Sequence, residues 1–163
     1  MPSPLGHALA GVVFGRLAAG RAAPARLTAA VAAAGALPDI DLLFGAHSGP
    51  THGVGAAVLA GAFAALAWPG AGRWRIAVSI AAAWGSHTLL DWLSTDTSAP
   101  FGIMALWPVS AEYYLSAYRV FLPVSRRYWL VDTWVMNLHA VLREIVILGP
   151  LAWLAVWLTR EPR

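Results

Sequence analysis

The chain contains no cysteine and no lysine, and little charge of either sign. Without cysteine there is no disulfide framework and no thiolate metal site, so any bound metal is held by nitrogen and oxygen alone. Without lysine all eleven basic residues are arginine, a bias that a GC-rich coding genome also produces and that carries no functional reading. Charged residues make up 12 % of the 163 positions, about half of the roughly 25 % usual in soluble domains. No S-x-x-K, G-x-S-x-G or cysteine nucleophile is present, which leaves metal-activated water as the hydrolytic route open to this chain. A cleavable signal peptide is not expected, because no basic region precedes the first apolar run and Arg16 interrupts that run.

What is present is apolar. Hydrophobic residues make up 59 % of the chain, mean hydropathy is +0.63, and nine tryptophans suit rings at membrane–water interfaces. The pI near 10 would suggest nucleic acid in a soluble protein. Here the arginines separate apolar blocks, as in loops facing an anionic membrane surface, and no nucleic-acid partner is expected. A soluble all-helical protein with a large core is the competing class.

Five apolar blocks follow one another: about Leu5 to Ala19, Leu27 to Leu37, Val54 to Trp68, Trp74 to Leu93, and Leu138 to Leu158. The second is expected to stop at Pro38, since the residue before proline is pushed out of the helical region. About 20 residues are needed to cross a bilayer. Blocks four and five meet that length, block three is marginal, and blocks one and two read as a short hairpin packed on the others. Residues 94–132, polar and aromatic with prolines at 100, 108 and 123, read as a long connecting segment. The expectation is a single all-α domain over 1–163, a membrane-embedded bundle of about five helices.

Ionisable groups inside such blocks are costly, so they are normally paired or bound to something. His87 and Asp91 lie four apart, on one face of the fourth helix. His7 begins the first helix, Asp39 and Asp41 follow the second, and His47 and His52 precede the third. In an up-and-down bundle all of these ends fall on one side. Arg16, Arg21, Arg26, Arg73, Arg75, Arg160 and Arg163 fall on the other, although Arg119, Arg126 and Arg127 lie with the histidines. Taken singly, each group has a plain alternative: a solvated turn for Asp39 and Asp41, which share a face if the backbone is extended, a helix cap for His52, a hydrogen-bonded pair for His87 and Asp91. Together they point to a divalent-metal site, with zinc first and one or two ions.

The order Gly6-His7, Leu37-Pro38-Asp39-Ile40-Asp41, His47-x-Gly49-x-Thr51-His52, Ser86-His87-x-x-x-Asp91 and Leu106-Trp107-Pro108 resembles the YdjM-like family of bacterial inner-membrane proteins, described as predicted metal-dependent hydrolases. The resemblance covers about residues 6 to 110. Ser48 departs from it where the family usually has arginine, and the T-D-T-S-A-P-F-G insert after Asp91 is longer than the family's turn. The same order is distantly similar to the zinc-dependent phospholipase C and single-strand nuclease superfamily. Carried over by order, that likeness implies His7, Asp39 or Asp41, His52, His87 and Asp91 as ligands. Its final His-x-x-x-Glu pair has no counterpart, since His139 and Glu144 are five apart and cannot share a helix face. Glu144 either reaches the site alone or is neutralised by Arg143.

The expected activity is hydrolysis of a phosphoester in a lipid-like, amphipathic substrate at the membrane interface, near Trp92, Trp107, Tyr113 and Tyr114. The metal ligands are His7, Asp39, Asp41, His52, His87 and Asp91; Asp39, His47 and Glu144 are the candidate catalytic groups. Arg119, Arg126 and Arg127 would bind phosphate if the 94–132 segment folds over the site as a lid. The alternative is a divalent-metal sensor or transporter without hydrolytic activity. The positive-inside rule puts the arginine-rich end in the cytoplasm and the metal end outside it. The bilayer is the expected partner, and oligomeric state is left open.

Overall fold

Ser3 starts the first helix by accepting a hydrogen bond from the Gly6 amide at 3.1 Å, with Pro4 behind it in the first turn, where its missing N–H costs nothing. This helix, α1 (Pro4–Ala19), ends at Gly20 in the left-handed conformation. Then follow α2 (Arg26–Ala36), α3 (Val54–Ala67), α4 (Arg73–Trp92) and α5 (Asp132–Thr159). The structure, a computed structural model, describes residues 1–44 and 47–161. Arg163, expected at the arginine-rich end, lies outside the described residues. Among those residues the fold is all-helical with five α-helices and no strand; two isolated β-bridges, Ser94 with Phe121 and Ile103 with Tyr114, tie the 94–132 segment to itself and to the end of α4.

Helices α1 and α4 form the centre: α1 packs against α2, α4 and α5, and α4 also against α2 and α3. Glycines set the closest approach. A Cβ on Gly35 would stand 2.4 Å from the His7 carbonyl oxygen, and one on Gly11 would stand 2.4 Å from that of Val31, so α1 and α2 cross at backbone contact.

The packing is inverted relative to a soluble protein. Buried positions are mostly alanine, glycine, serine and ionisable groups, while Phe63, Leu66, Trp134, Val146, Trp153 and many other large apolar side chains point outward. Water would oppose such a surface and lipid does not. By length and composition two helical stretches can cross a membrane, Arg26–Phe44 and α5. The first corrects the expectation for block two. The α-helix does end at Ala36, just before the proline at 38 as expected, but the chain goes on as a 3₁₀ run, Leu37–Phe44, so the helical stretch reaches 19 residues rather than stopping short. The expectation for block four is corrected in the other direction, because α4 has the length but is not among the spans. Its two arginines, Asp91, His87, two serines and a threonine make it the polar spine of the bundle.

The 94–132 segment folds back over the end of the bundle that carries the histidines. Met104 N–H donates to Ser48 O at 3.0 Å, Val54 N–H to Ala105 O at 2.9 Å, and Gly55 N–H to Trp107 O at 2.8 Å. Buried Ile103 and Phe121 anchor it. At the opposite end buried Arg16 donates to Thr159 Oγ1 at 2.9 Å and to the carbonyls of Ala23 and Pro24 at 3.2 and 3.0 Å. Arg75 donates to the carbonyls of Ala19 and Arg21. Arg16 from within the fold and Arg75 from its surface thus tie down the end of α1 and the α1–α2 turn, a task for buried Arg16 that a reading of it as a membrane-surface charge does not contain.

Candidate metal centre

The expected convergence is present. His7 from α1, Asp39 and Asp41 from the 3₁₀ run, His47 and His52 from the loop before α3, and His87 and Asp91 from α4 meet at one end of the bundle. They form two groups, His7–His87–Asp91 and Asp39–Asp41–His47–His52. Asp91 lies at the centre: its Oδ2 is 3.1 Å from His87 Nε2 and 3.4 Å from His52 Nε2, and its Oδ1 is 3.4 Å from His7 Nε2. Asp39 Oδ1 joins the groups, 3.6 Å from both His52 Nε2 and His87 Nε2. The His7 and His87 rings stack with centroids 3.6 Å apart.

His7, His52, His87 and Asp91 are all fully buried. Among the described residues six buried side-chain nitrogen and oxygen atoms have no hydrogen-bond partner: both ring nitrogens of His7, Nε2 of His52 and of His87, and both carboxylate oxygens of Asp91. All six belong to this cluster. Orphaned buried polar atoms cost roughly 1–3 kcal/mol each, and a native fold holds few of them. A set of imidazole nitrogens and carboxylate oxygens turned toward one another is also the donor chemistry of a divalent transition metal. The residues fit such an ion.

Their supports argue the same way. His87 Nδ1 is 2.8 Å from the Gly35 carbonyl, which fixes the proton on Nδ1 and leaves Nε2 as a free lone pair. His52 Nδ1 faces Asp41 Oδ2 at 3.3 Å, with its Nε2 turned to Asp39 and Asp91. Asp41 also accepts from Thr51 Oγ1 at 2.9 Å and faces His47 Nδ1 at 3.2 Å. This is the carboxylate–histidine arrangement that stands behind a metal. Burial opposes charge on His52, but Asp39 and then Asp41 outweigh it and push its pKa up to about 9.

The extended-backbone expectation for Leu37–Asp41 is corrected, because the segment is 3₁₀. At about three residues per turn the two aspartates do not share a face by alternation. Asp39 is turned to the ring nitrogens that converge on Asp91, and Asp41 to the outer sides of His47 and His52. Glu144 is fully buried and stands outside both groups. It accepts from Ser3 N–H at 2.8 Å and from Ser3 Oγ–H, and a Cβ on Gly6 would stand 2.6 Å from its Oε2. It thereby pins the start of α1, the turn that carries His7. Arg143 is exposed and makes no salt bridge with it among the described residues. Arg119, Arg126 and Arg127 are exposed on the covering segment, with no contact to the ligand groups among the described residues. Trp107 covers Gly53 and Gly55, while Trp92 and Tyr114 line a cavity of about 400 Å³ between α4 and the segment.

Pattern reading missed Ser3 and Gly35, and it read Thr51 as part of a motif rather than as a donor to Asp41. Ser3-Pro4 carries a visible capping signal, and Thr51 stands beside His52. The Gly35 carbonyl leaves no side-chain trace.

A small all-α protein with a lipid-compatible exterior and a buried His/Asp cluster that could hold a metal ion defines a class of small helical membrane protein. Within it the chain belongs to the YdjM inner membrane protein family, whose family model matches residues 1–161. The family description and the two apolar helical stretches agree with an inner-membrane protein. Neither the curated proteins nor the solved structures gave a match.

Proposed function

We propose that the protein is a membrane-bound, metal-dependent hydrolase of a phosphoester in a lipid-like substrate, with zinc as the metal. The observation that carries this reading is the set of six unpartnered polar atoms buried where four helical segments meet. His7, His52, His87, Asp91 and Asp39 would hold the ion, with Asp41 behind His52. When bound, a divalent ion supplies Lewis-acid polarisation of a phosphoryl oxygen and lowers the pKa of a water toward ~7.

The chain's own residues supply the rest. Asp91 is sealed from solvent, whereas the side chains of Asp39 and His47 are 17 % and 20 % exposed. Asp39 is therefore the carboxylate that substrate and water can reach, and it acts as general base. His47, 3.9 Å from Asp39 and 3.2 Å from Asp41, passes the proton on to solvent. Arg119, Arg126 and Arg127 on the covering segment would attract the phosphate. Five exposed arginines at the far end (Arg21, Arg26, Arg73, Arg75 and Arg160) outnumber these three, which favours an extracytoplasmic site.

The test joins elemental analysis of protein purified without chelator to a turnover screen of phospholipids, isoprenoid phosphates and generic phosphodiesters in nanodiscs. Stoichiometric transition metal with chelator-sensitive turnover is expected. Full metal with no turnover of any of them would replace this reading with a metal sensor or transporter. Less than a tenth of an equivalent of metal would remove both.

A further inference from the structure

Helices α2 and α3 both lie on α4 but leave a groove of about 820 Å³ between them. Ile76, Ile80 and Trp84 of α4 form its floor, and alanines form its walls, Ala30 and Ala34 on one side and Ala60 and Ala64 on the other. Leu59 and Phe63, 61 % and 72 % exposed, lie along it on the bundle surface. One end is closed by Trp68 with the Arg26 guanidinium 4.8 Å above its ring. The other end is Thr51 and Trp107. Thr51 belongs to the metal centre as well, since its hydroxyl donates to Asp41 at 2.9 Å, and its carbonyl accepts the Trp84 indole N–H at 2.8 Å. With that indole satisfied, the wall between the ends offers a ligand nothing polar.

The groove is thus one continuous apolar track that begins beside Thr51, one hydrogen bond from Asp41, and runs the length of α3. That helix has 14 residues, about 21 Å at 1.5 Å per residue. Spread over that length, 820 Å³ is a cross-section of about 40 Å². A helix 10–12 Å across needs about 80–110 Å², so a helix from a partner or a second copy would not seat fully within it. An extended hydrocarbon chain would.

We infer that the α2–α3 groove is the subsite for one hydrocarbon chain of the substrate, which lies along α4 while its phosphoester reaches the His/Asp centre past Thr51. This rests on the hydrolase reading for the phosphoester, but the groove's occupancy by a chain can be read without turnover. The chain would enter sideways from the bilayer past Leu59 and Phe63, and the arginine at the far end would set how far it reaches.

The probe is a phospholipid carrying a diazirine midway along one acyl chain, incorporated in nanodiscs with the full-length protein, irradiated and mapped by peptide mass spectrometry. Adducts are expected on Ala60, Ala64, Ile80 and Trp84, at a level at least fivefold above those on the outer face of α5. Ala60→Trp should remove the groove adducts, while Val146→Trp, on the exposed face of α5, should leave them. In turnover, Ala60→Trp should raise KM for a long-chain phosphoester at least tenfold and leave KM for bis(p-nitrophenyl) phosphate unchanged. Adducts spread evenly over α3 and α5, and unmoved by Ala60→Trp, would overturn the inference. So would an efficient intermolecular disulfide from Ala60→Cys in this cysteine-free chain, which would make the groove an interface between copies. Groove-confined adducts with no turnover of either substrate would uphold the chain subsite and sink the hydrolase. Turnover of both substrates with no groove labelling would do the reverse. If Ala60→Trp fails to fold, the wild-type adduct map decides alone.

Discussion

Asp41→Asn separates the residues that would touch a metal from those that stand behind it. Asp41 is held by three donors, Thr51 Oγ1 at 2.9 Å, His47 Nδ1 at 3.2 Å and His52 Nδ1 at 3.3 Å. An asparagine keeps the shape but exchanges one acceptor oxygen for an NH₂ group. Where that NH₂ faces His52, the ring's Nδ1 becomes an acceptor and the proton moves to Nε2, the nitrogen turned toward Asp39 and Asp91. Loss of an outer carboxylate behind a ligating histidine typically costs 10–100-fold in metal affinity, or about 1.4–2.8 kcal/mol. The expected result is therefore a Kd for zinc raised within that range at unchanged stoichiometry. Competition against a fluorescent zinc chelator in detergent measures it, with circular dichroism as the check on folding. A change under threefold would refute the tautomer argument. Loss of stoichiometric metal, equal to that of Asp91→Asn, would instead make Asp41 a direct ligand.

His87→Ala or Asp91→Ala should each empty the site while the bundle stays helical, read by metal content and circular dichroism. Asp39→Asn should abolish turnover and spare much of the metal, and Arg126→Ala should chiefly raise KM. Because the pKa of His52 is raised to about 9, binding zinc at pH 7 should release about one proton from this ring, measurable by calorimetry in buffers of different ionisation enthalpy. The same shift stabilises metal-free protein fully below pH 6.5, and that contribution is lost as pH rises through 9. Chelated protein should therefore melt lower at pH 9.5 than at pH 6 on this account, and a Tm that rises over that interval would contradict it. Arg16→Met should lower stability by about 2–4 kcal/mol, since it orphans two carbonyls and a hydroxyl that the guanidinium now satisfies.

The site was legible in sequence for a reason that belongs to the membrane. Lipid is as apolar as leucine, so large side chains have no need to turn inward, and the interior falls to alanine, glycine and serine. Against that background each histidine or aspartate near a helix end is conspicuous. The alternation of short-looped helices then places His7, Asp39, His52 and His87 on one side before any coordinate is known. What stayed illegible depends on backbone carbonyls and on the pitch of single turns. Pro38 ends the α-helix as the sequence suggests, but nothing in the pattern shows that the chain continues as a 3₁₀ run, which parts Asp39 from Asp41. Arg16 reads as a loop charge because nothing in the pattern shows that the α1–α2 turn and Thr159 present it with acceptors.

The two ends of the bundle solve one problem with opposite charges. Five helices crossing at glycine and alanine contacts leave frayed backbone and buried polar atoms at both ends, with no large apolar side chains inside to cover them. At one end the guanidinium groups of Arg16 and Arg75 fill the carbonyls of the α1 terminus and the α1–α2 turn. At the other, the Gly35 carbonyl and the Asp41 carboxylate fix two imidazoles, but six polar atoms remain unpartnered. Among the described residues no buried side-chain polar atom at the first end is left without a partner. The second is built from groups that could hold a divalent ion, and the segment that covers it is bonded at Ser48 to the turn that carries His47 and His52.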